Sequence, residues 1–168
     1  MALERREKRD GEVTRLVLPI AVVDASVLVS NSNREHLVTA AYEGLYRPIW
    51  SPWIIAELNR ALTWNWIRNK GGLRERTQLS KRYNDMMSFL ASVFDCVDPK
   101  PPWYPAWPKL ADENDLPIWS TAKFAKADYI VSANVRDFPP QNDEGKHVWE
   151  GVEYIMVPDF FRRIGYEC

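Results

Sequence analysis

Residues 112–138 read DENDLPIWSTAKFAKADYIVSANVRDF, and this stretch decides the fold. Proline has no N–H to donate and pushes the residue before it out of the α region, so Pro117 can open a helix but cannot sit inside one. From there Ile118, Thr121, Ala122 and Ala125 recur at helical spacing, and after Asp128 the run Tyr129, Ile130, Val131 is rich in β-formers. The reading is a helix from Pro117 followed by a short strand. Asp115 falls just outside the helix start, where free N–H groups and the helix dipole favour an anion. Beyond the strand, Asn134 and Asp137 lie in a polar turn closed by Phe138, Pro139 and Pro140. Sites in open α/β sheets form at the carboxyl ends of the strands. Two acids delivered there by one unit point to a metal site or to phosphate chemistry.

Working outward, residues 16–23 are a near-continuous apolar run, LVLPIAVV, ending in Asp24. That is the pattern of a central parallel strand buried on both faces. Asp24 sits at its carboxyl end, where it either caps the helix expected over 25–29 or belongs to a site. A short helix over 35–43 is closed by Gly44, and a brief strand over 48–50 follows. Ser51 then caps a helix with Pro52 in its first turn, whose apolar face carries Trp53, Ile54, Ala56, Leu58, Ala61, Leu62 and Trp66. Glu57 lies within that stretch and either joins a site or pairs with Arg60 on the helix surface.

Gly71 and Gly72 break the chain before a second long helix over 73–93, giving a helical hairpin over about 52–93. The hairpin carries Arg68, Lys70, Arg74, Arg76, Lys81 and Arg82 beside Trp53, Trp64 and Trp66. These are either a solvated face with core aromatics or cations and planes for phosphates, bases or a partner chain. A short strand over 94–97 leads into PKPPWYPAWP, residues 99–108, an extended loop. After Phe138 a polar loop over 141–146 precedes a last strand over 152–157 and a terminal helix from Pro158. Strands alternating with helices predict an α/β fold, a three-layer α/β/α sandwich around a mainly parallel sheet.

The 168 residues, 46% of them hydrophobic, suit one compact domain over 16–168 behind a charged arm, residues 1–15. The net charge of −1 gives no global field to recruit nucleic acid. Cys96 and Cys168 make no CxxC or zinc spacing and fit a reducing compartment. No stretch is apolar and long enough to span a membrane, so a cytoplasmic location is expected.

Asp24, Glu57, Asp115 and Asp137 come from four places that this fold would bring to one edge. Carboxylates gathered there repel each other unless a cation compensates them. Oxygen-only ligands select hard ions such as Mg²⁺ or Mn²⁺, which activate water and stabilise the leaving oxygen of a phosphodiester. Competing chemistries lack their parts. His36 and His147 are the 2 histidines and neither has a spaced partner, a GxxxxGK[ST] loop is absent, and Ser26 stands where an aspartyl-phosphate enzyme would place a second Asp.

The segments VVDASVLV around Asp24, SPWIIAELNR around Glu57 and Arg60, DLPIWSTAKFAKADYIVSANVRDF, and the closing VEYIMVPDFF together resemble the PIN domain, a metal-dependent ribonuclease fold found in toxins of toxin–antitoxin pairs. The resemblance covers about residues 17–164. It implies that Asp24, Glu57 and Asp115 are the recurrent metal-site acids and Asp137 the more variable fourth. Asn134, Ser132 and Ser26 would orient ligands and water in support, with Arg60 beside Glu57. Asp112 and Glu113 compete for the role of Asp115.

The implied activity is Mg²⁺- or Mn²⁺-dependent hydrolysis of RNA, and the implied partners are an RNA substrate, a cognate antitoxin and a second copy of the chain. The contrasting expectation is a PIN-like interaction module with little nuclease activity. Keeping four acids together without a metal would burden such a module.

Overall fold

The structure, a computed structural model, describes residues 17–70, 76–105 and 113–167. The expected arm over 1–15, the Gly71-Gly72 break, Arg74, the far end of the Pro/Trp loop, Asp112 and Cys168 lie outside the described residues. In chain order, Ile20–Val23 forms β1, Ala25–Leu28 α1, Asn31–Tyr42 α2 and Arg47–Trp50 β2. The long helices α3 (Pro52–Lys70) and α4 (Arg76–Ala91) precede a two-residue β3 (Asp95–Cys96). A 3-10 turn at Glu113–Asp115 runs into α5 (Leu116–Ala125) and β4 (Tyr129–Val131). A second 3-10 turn at Val135–Asp137 is followed by β5 (His147–Trp149), β6 (Val152–Ile155) and α6 (Val157–Ile164).

The six strands form one sheet in the order β3-β2-β1-β4-β6-β5, parallel throughout except for β5 against β6. Helices cover it on both sides, making the expected α/β/α sandwich. Successive strands step outward from β1 through β2 to β3, then β4 returns to the other side of β1. The sheet therefore has its switch point between β1 and β4, where a crevice opens at the carboxyl edge. Val23 pairs with Val131 in this register, so Asp24 and Ser132 are the next residues on adjacent strands. The Asp24 N–H donates to Val131 O over 3.0 Å and fixes that alignment.

Of the apolar run read from the sequence, only Ile20–Val23 forms the strand. Ala21, Val22 and Val23 are 0% exposed at the centre of the core, whereas Val17 and Leu18 ahead of it lie on the surface, 87% and 41% exposed. Each fully buried valine side chain contributes about 1.5–3 kcal/mol relative to exposure. Pro48 is tolerated inside β2 for a geometric reason. The Arg47 N–H turns toward β1, donating to Pro19 O, so the donor that Pro48 lacks would face β3, which pairs only from Ile49 onward. At the opposite edge from the site, Asp128 Oδ2 accepts from the Ile20 N–H over 2.8 Å and ties β4 to β1.

Local signals set most boundaries. Ser51 Oγ accepts from the Ile54 N–H over 3.3 Å and caps α3 as expected. Helix α2 starts earlier than the expected residue 35, because Ser30 caps it by accepting from the Asn33 N–H over 3.4 Å. Pro117 and Pro158 each sit one position inside their helices, where a missing N–H still leaves no intrahelical bond unmade.

The larger departure is β5, since the sequence predicts no strand between the polar loop over 141–146 and residue 152. Trp149 pairs with Val152, leaving Glu150 and Gly151 as a two-residue turn with both φ positive, 45° and 83°. That is the geometry whose twist matches paired strands.

Candidate metal centre

Asp24 precedes α1 with extended backbone, φ −71° and ψ 149°, and makes no side-chain cap. Its carboxylate is held instead by two hydroxyls. Ser26 Oγ donates to Asp24 Oδ2 over 2.6 Å, and Ser132 Oγ donates to the same oxygen over 2.8 Å. Both serines are fixed in turn: Ser26 Oγ accepts from the Ala133 N–H and Ser132 Oγ from the Asn134 N–H, each over 3.1 Å. Asp24 is 6% exposed, and burying a carboxylate is tolerable only with such donors. Of the two readings of Asp24, helix cap and site residue, the first does not hold, since its side chain bonds Ser26 and Ser132 and not the helix N–H groups.

A small notch of about 20 Å³ opens at this point, lined by Asp24, Asp115, Ser132, Asn134, Asp137 and Tyr154 over an apolar floor of Ile118, Ile130 and Phe138. Asp115 reaches it from the start of α5, again without a side-chain cap. Asp137 reaches it from the 3-10 turn after β4, where Asn134 Nδ2 donates to its Oδ2. The three carboxylates also act together on one group. Tyr154 is buried, and burial first, then Asp115, Asp137 and Asp24, hold its hydroxyl well above the ordinary tyrosine range. It therefore stays protonated and presents an O–H, not a charge, to the notch.

Glu57 is placed differently. It stands half-buried on α3, with a carboxylate oxygen 3.9 Å from Arg60, and does not line the notch. Glu113 is exposed and off the notch, while Asp112 lies outside the described residues. Of the four acids read from the sequence, the structure brings Asp24, Asp115 and Asp137 to one notch together with Ser132 and Asn134.

Among the described residues, no three Asp, Glu, His or Cys side chains stand close enough to form a ligating cluster on their own. Mutual repulsion favours such a spread. The donor set is nevertheless that of a hard cation: carboxylate, amide and hydroxyl oxygens, three negative charges that add to burial in raising Tyr154, and room for something the size of an ion. The residues present fit a divalent metal.

Sequence reading did not single out Tyr154 or Phe138. The signal for Tyr154 was available in period-two alternation, since Val152 and Tyr154 point to one face of a strand that pairs with β4. Its aromatic neighbour Trp119 is 0% exposed and stacks on it at 6.1 Å and 22°.

A doubly wound α/β/α protein with oxygen donors gathered at the carboxyl ends of β1 and β4 is the class that fold and site define. The sequence profile of the PIN domain matches residues 20–136, and the chain belongs to the PIN domain family. Members of this family are generally nucleases, usually dependent on divalent metal. No curated protein matches the chain. Among the described residues, no helix is long and apolar enough to cross a membrane.

Proposed function

We propose that this protein is a ribonuclease that hydrolyses RNA phosphodiester bonds with Mg²⁺ or Mn²⁺. The observation that carries this reading is the gathering of Asp24, Asp115 and Asp137 in one notch at the sheet's switch point, in a chain of the PIN domain family. Asp24, Asp115 and Asp137 would hold the metal, with Glu57 supplying a further acid from α3. When bound, the ion supplies activation of water and neutralisation of charge at the phosphate.

The chain's own residues do the orienting. Ser26 and Ser132 fix one oxygen of Asp24, Asn134 fixes Asp137, and the protonated Tyr154 offers a hydrogen-bond donor at the wall. The test is cleavage of a panel of structured and single-stranded RNAs by purified protein, with Asp24→Asn as matched control. Metal-dependent cleavage abolished by EDTA and by the substitution is the expected result. Equal cleavage by a folded Asp24→Asn variant would sink the proposal.

The finer reading is a cytoplasmic toxin with a cognate antitoxin, itself dimeric, as the family resemblance implies. A groove of about 670 Å³ between α2 and the α3–α4 hairpin supports a partner helix, with Leu62, Trp66, Met86, Phe89 and Leu90 as apolar walls. The Trp66 Nε1–H is buried there with no hydrogen-bond partner among the described residues. Purification from the native host that brings down no small second chain counts against it.

A second reading, an interaction module with little activity, draws on that same groove and on the position of Glu57 off the notch. A thermal shift separates the two. Stabilisation by Mn²⁺ or Mg²⁺ favours the nuclease, and none by either ion favours the module.

A further inference from the structure

Trp53 is the second residue of α3, at the carboxyl edge of the sheet, and is 44% exposed. Its ring meets Trp103 edge to face, with centroids 6.3 Å apart and an interplanar angle of 66°. Trp103 belongs to the loop that leaves β3 and crosses the same edge toward α5. The loop is fastened there: the Tyr104 N–H donates to Ser120 Oγ over 3.0 Å, and Trp119 Nε1 donates to Pro105 O over 2.8 Å. Each half of the tryptophan pair is thus mounted on a helix that carries a candidate site acid. Glu57 lies one turn beyond Trp53, at i+4 and so on the same side of α3. Asp115 begins α5, to which the loop is pinned.

We propose that Trp53 and Trp103 form a stacking platform for an unpaired nucleobase of RNA, on the same carboxyl edge of the sheet as the acidic notch. This deepens the proposed function and rests on it. A notch of about 20 Å³ admits an ion but no base, so a phosphate presented there leaves its nucleosides on the rim. Aromatic faces at the carboxyl edge, with Trp53 44% and Tyr104 46% exposed and Trp103 half-buried against Trp53, are what an unstacked base takes as a partner. Bases inside a duplex are already stacked and cannot use the platform. The substrate class is therefore single-stranded or looped RNA. Arg60, on the same helix with its side chain 74% exposed, is placed to meet a neighbouring phosphate.

The test measures binding apart from cleavage. The full chain is titrated, with Ca²⁺ in place of Mg²⁺, into a short single-stranded RNA containing one 2-aminopurine and into the same RNA as a duplex, reading fluorescence and anisotropy. The parent is expected to quench the probe in the single strand. Trp53→Leu and Trp103→Leu should each weaken single-strand binding about ten-fold or more and remove the quenching. Trp53→Phe should restore most of it, and duplex binding should be unchanged.

Parental quenching and affinity in Trp53→Leu overturn the platform while leaving the nuclease reading intact, and assign the surface to a protein partner. Equal losses on single strand and duplex also overturn it. Absence of RNA binding by the parent overturns both readings. Should Trp103→Leu fail to fold, Trp53→Leu decides, because Trp53 is a surface residue.

Discussion

Ser132 Oγ donates to Asp24 Oδ2 across 2.8 Å, joining the end of β4 to the end of β1 over a separation of 108 residues. The bond crosses the switch point of the sheet and orients the most buried acid of the notch. Ser132→Ala is expected to lower metal affinity or cleavage about ten- to a hundred-fold, the usual loss when a ligand's support is removed. It should also cost roughly 1.5–3 kcal/mol of stability, since the hydrogen bond is to a charged, buried group. Mn²⁺ titration and urea unfolding read the two effects, and unchanged metal affinity would refute the first.

Asp24→Asn keeps the shape of the side chain and an oxygen for the two serine hydroxyls while removing one of three neighbouring negative charges. Its melting temperature without metal should equal or exceed the parent's. At a hundred-fold excess of Mn²⁺ over Kd the parent should gain about 2.7 kcal/mol, a rise of roughly 5–10 °C for a chain of this length. The variant should lose that gain. Equal metal-induced shifts in both proteins would remove Asp24 from the metal site.

Tyr46 is 1% exposed, donates to Leu37 O over 3.0 Å, and burial raises its hydroxyl well above the ordinary value of 10.0. A folded-state pKa above the unfolded one means that the native state holds the proton more tightly. The resulting stability is whole below pH 10 and is lost as pH rises beyond it. Tyr46→Phe keeps the edge contact with Phe160, costs about 0.5–1.5 kcal/mol at neutral pH, and should flatten the alkaline decline. Urea unfolding at intervals from neutrality to beyond the tyrosine range checks this, and an unchanged slope would contradict it.

Gly151 closes the β5–β6 hairpin at φ +83°, and a Cβ added there would meet nothing within 4 Å. The cost of Gly151→Ala is therefore conformational, about 1–2 kcal/mol. It should appear as lost stability without a change in metal binding. Hydrogen exchange at Val148 and Glu153, which pair across the hairpin, should quicken first.

By itself the sequence determined the α/β class, β1 and its terminal Asp24, the cap of α3 and the proline-marked start of α5. Those features depend on neighbours in the chain: apolar runs, prolines without an N–H, and hydroxyls able to accept from the next turn. It also placed Asp115 and Asp137 at the ends of elements that must open on one edge. The β5–β6 hairpin was less legible because its turn is Glu150-Gly151 and not the stronger Asn-Gly or Asp-Gly signal.

Only the tertiary structure decided which acids meet. Ser132 and Asp24 become neighbours through the β1–β4 register, and Tyr154 reaches the notch because β6 pairs with β4. Glu57 stands on α3 with a carboxylate oxygen 3.9 Å from Arg60 and outside the lining of the notch, a placement that depends on the rotation of α3 about its axis. Sheet register and helix rotation are set by packing across the whole core, so no local run of residues carries them.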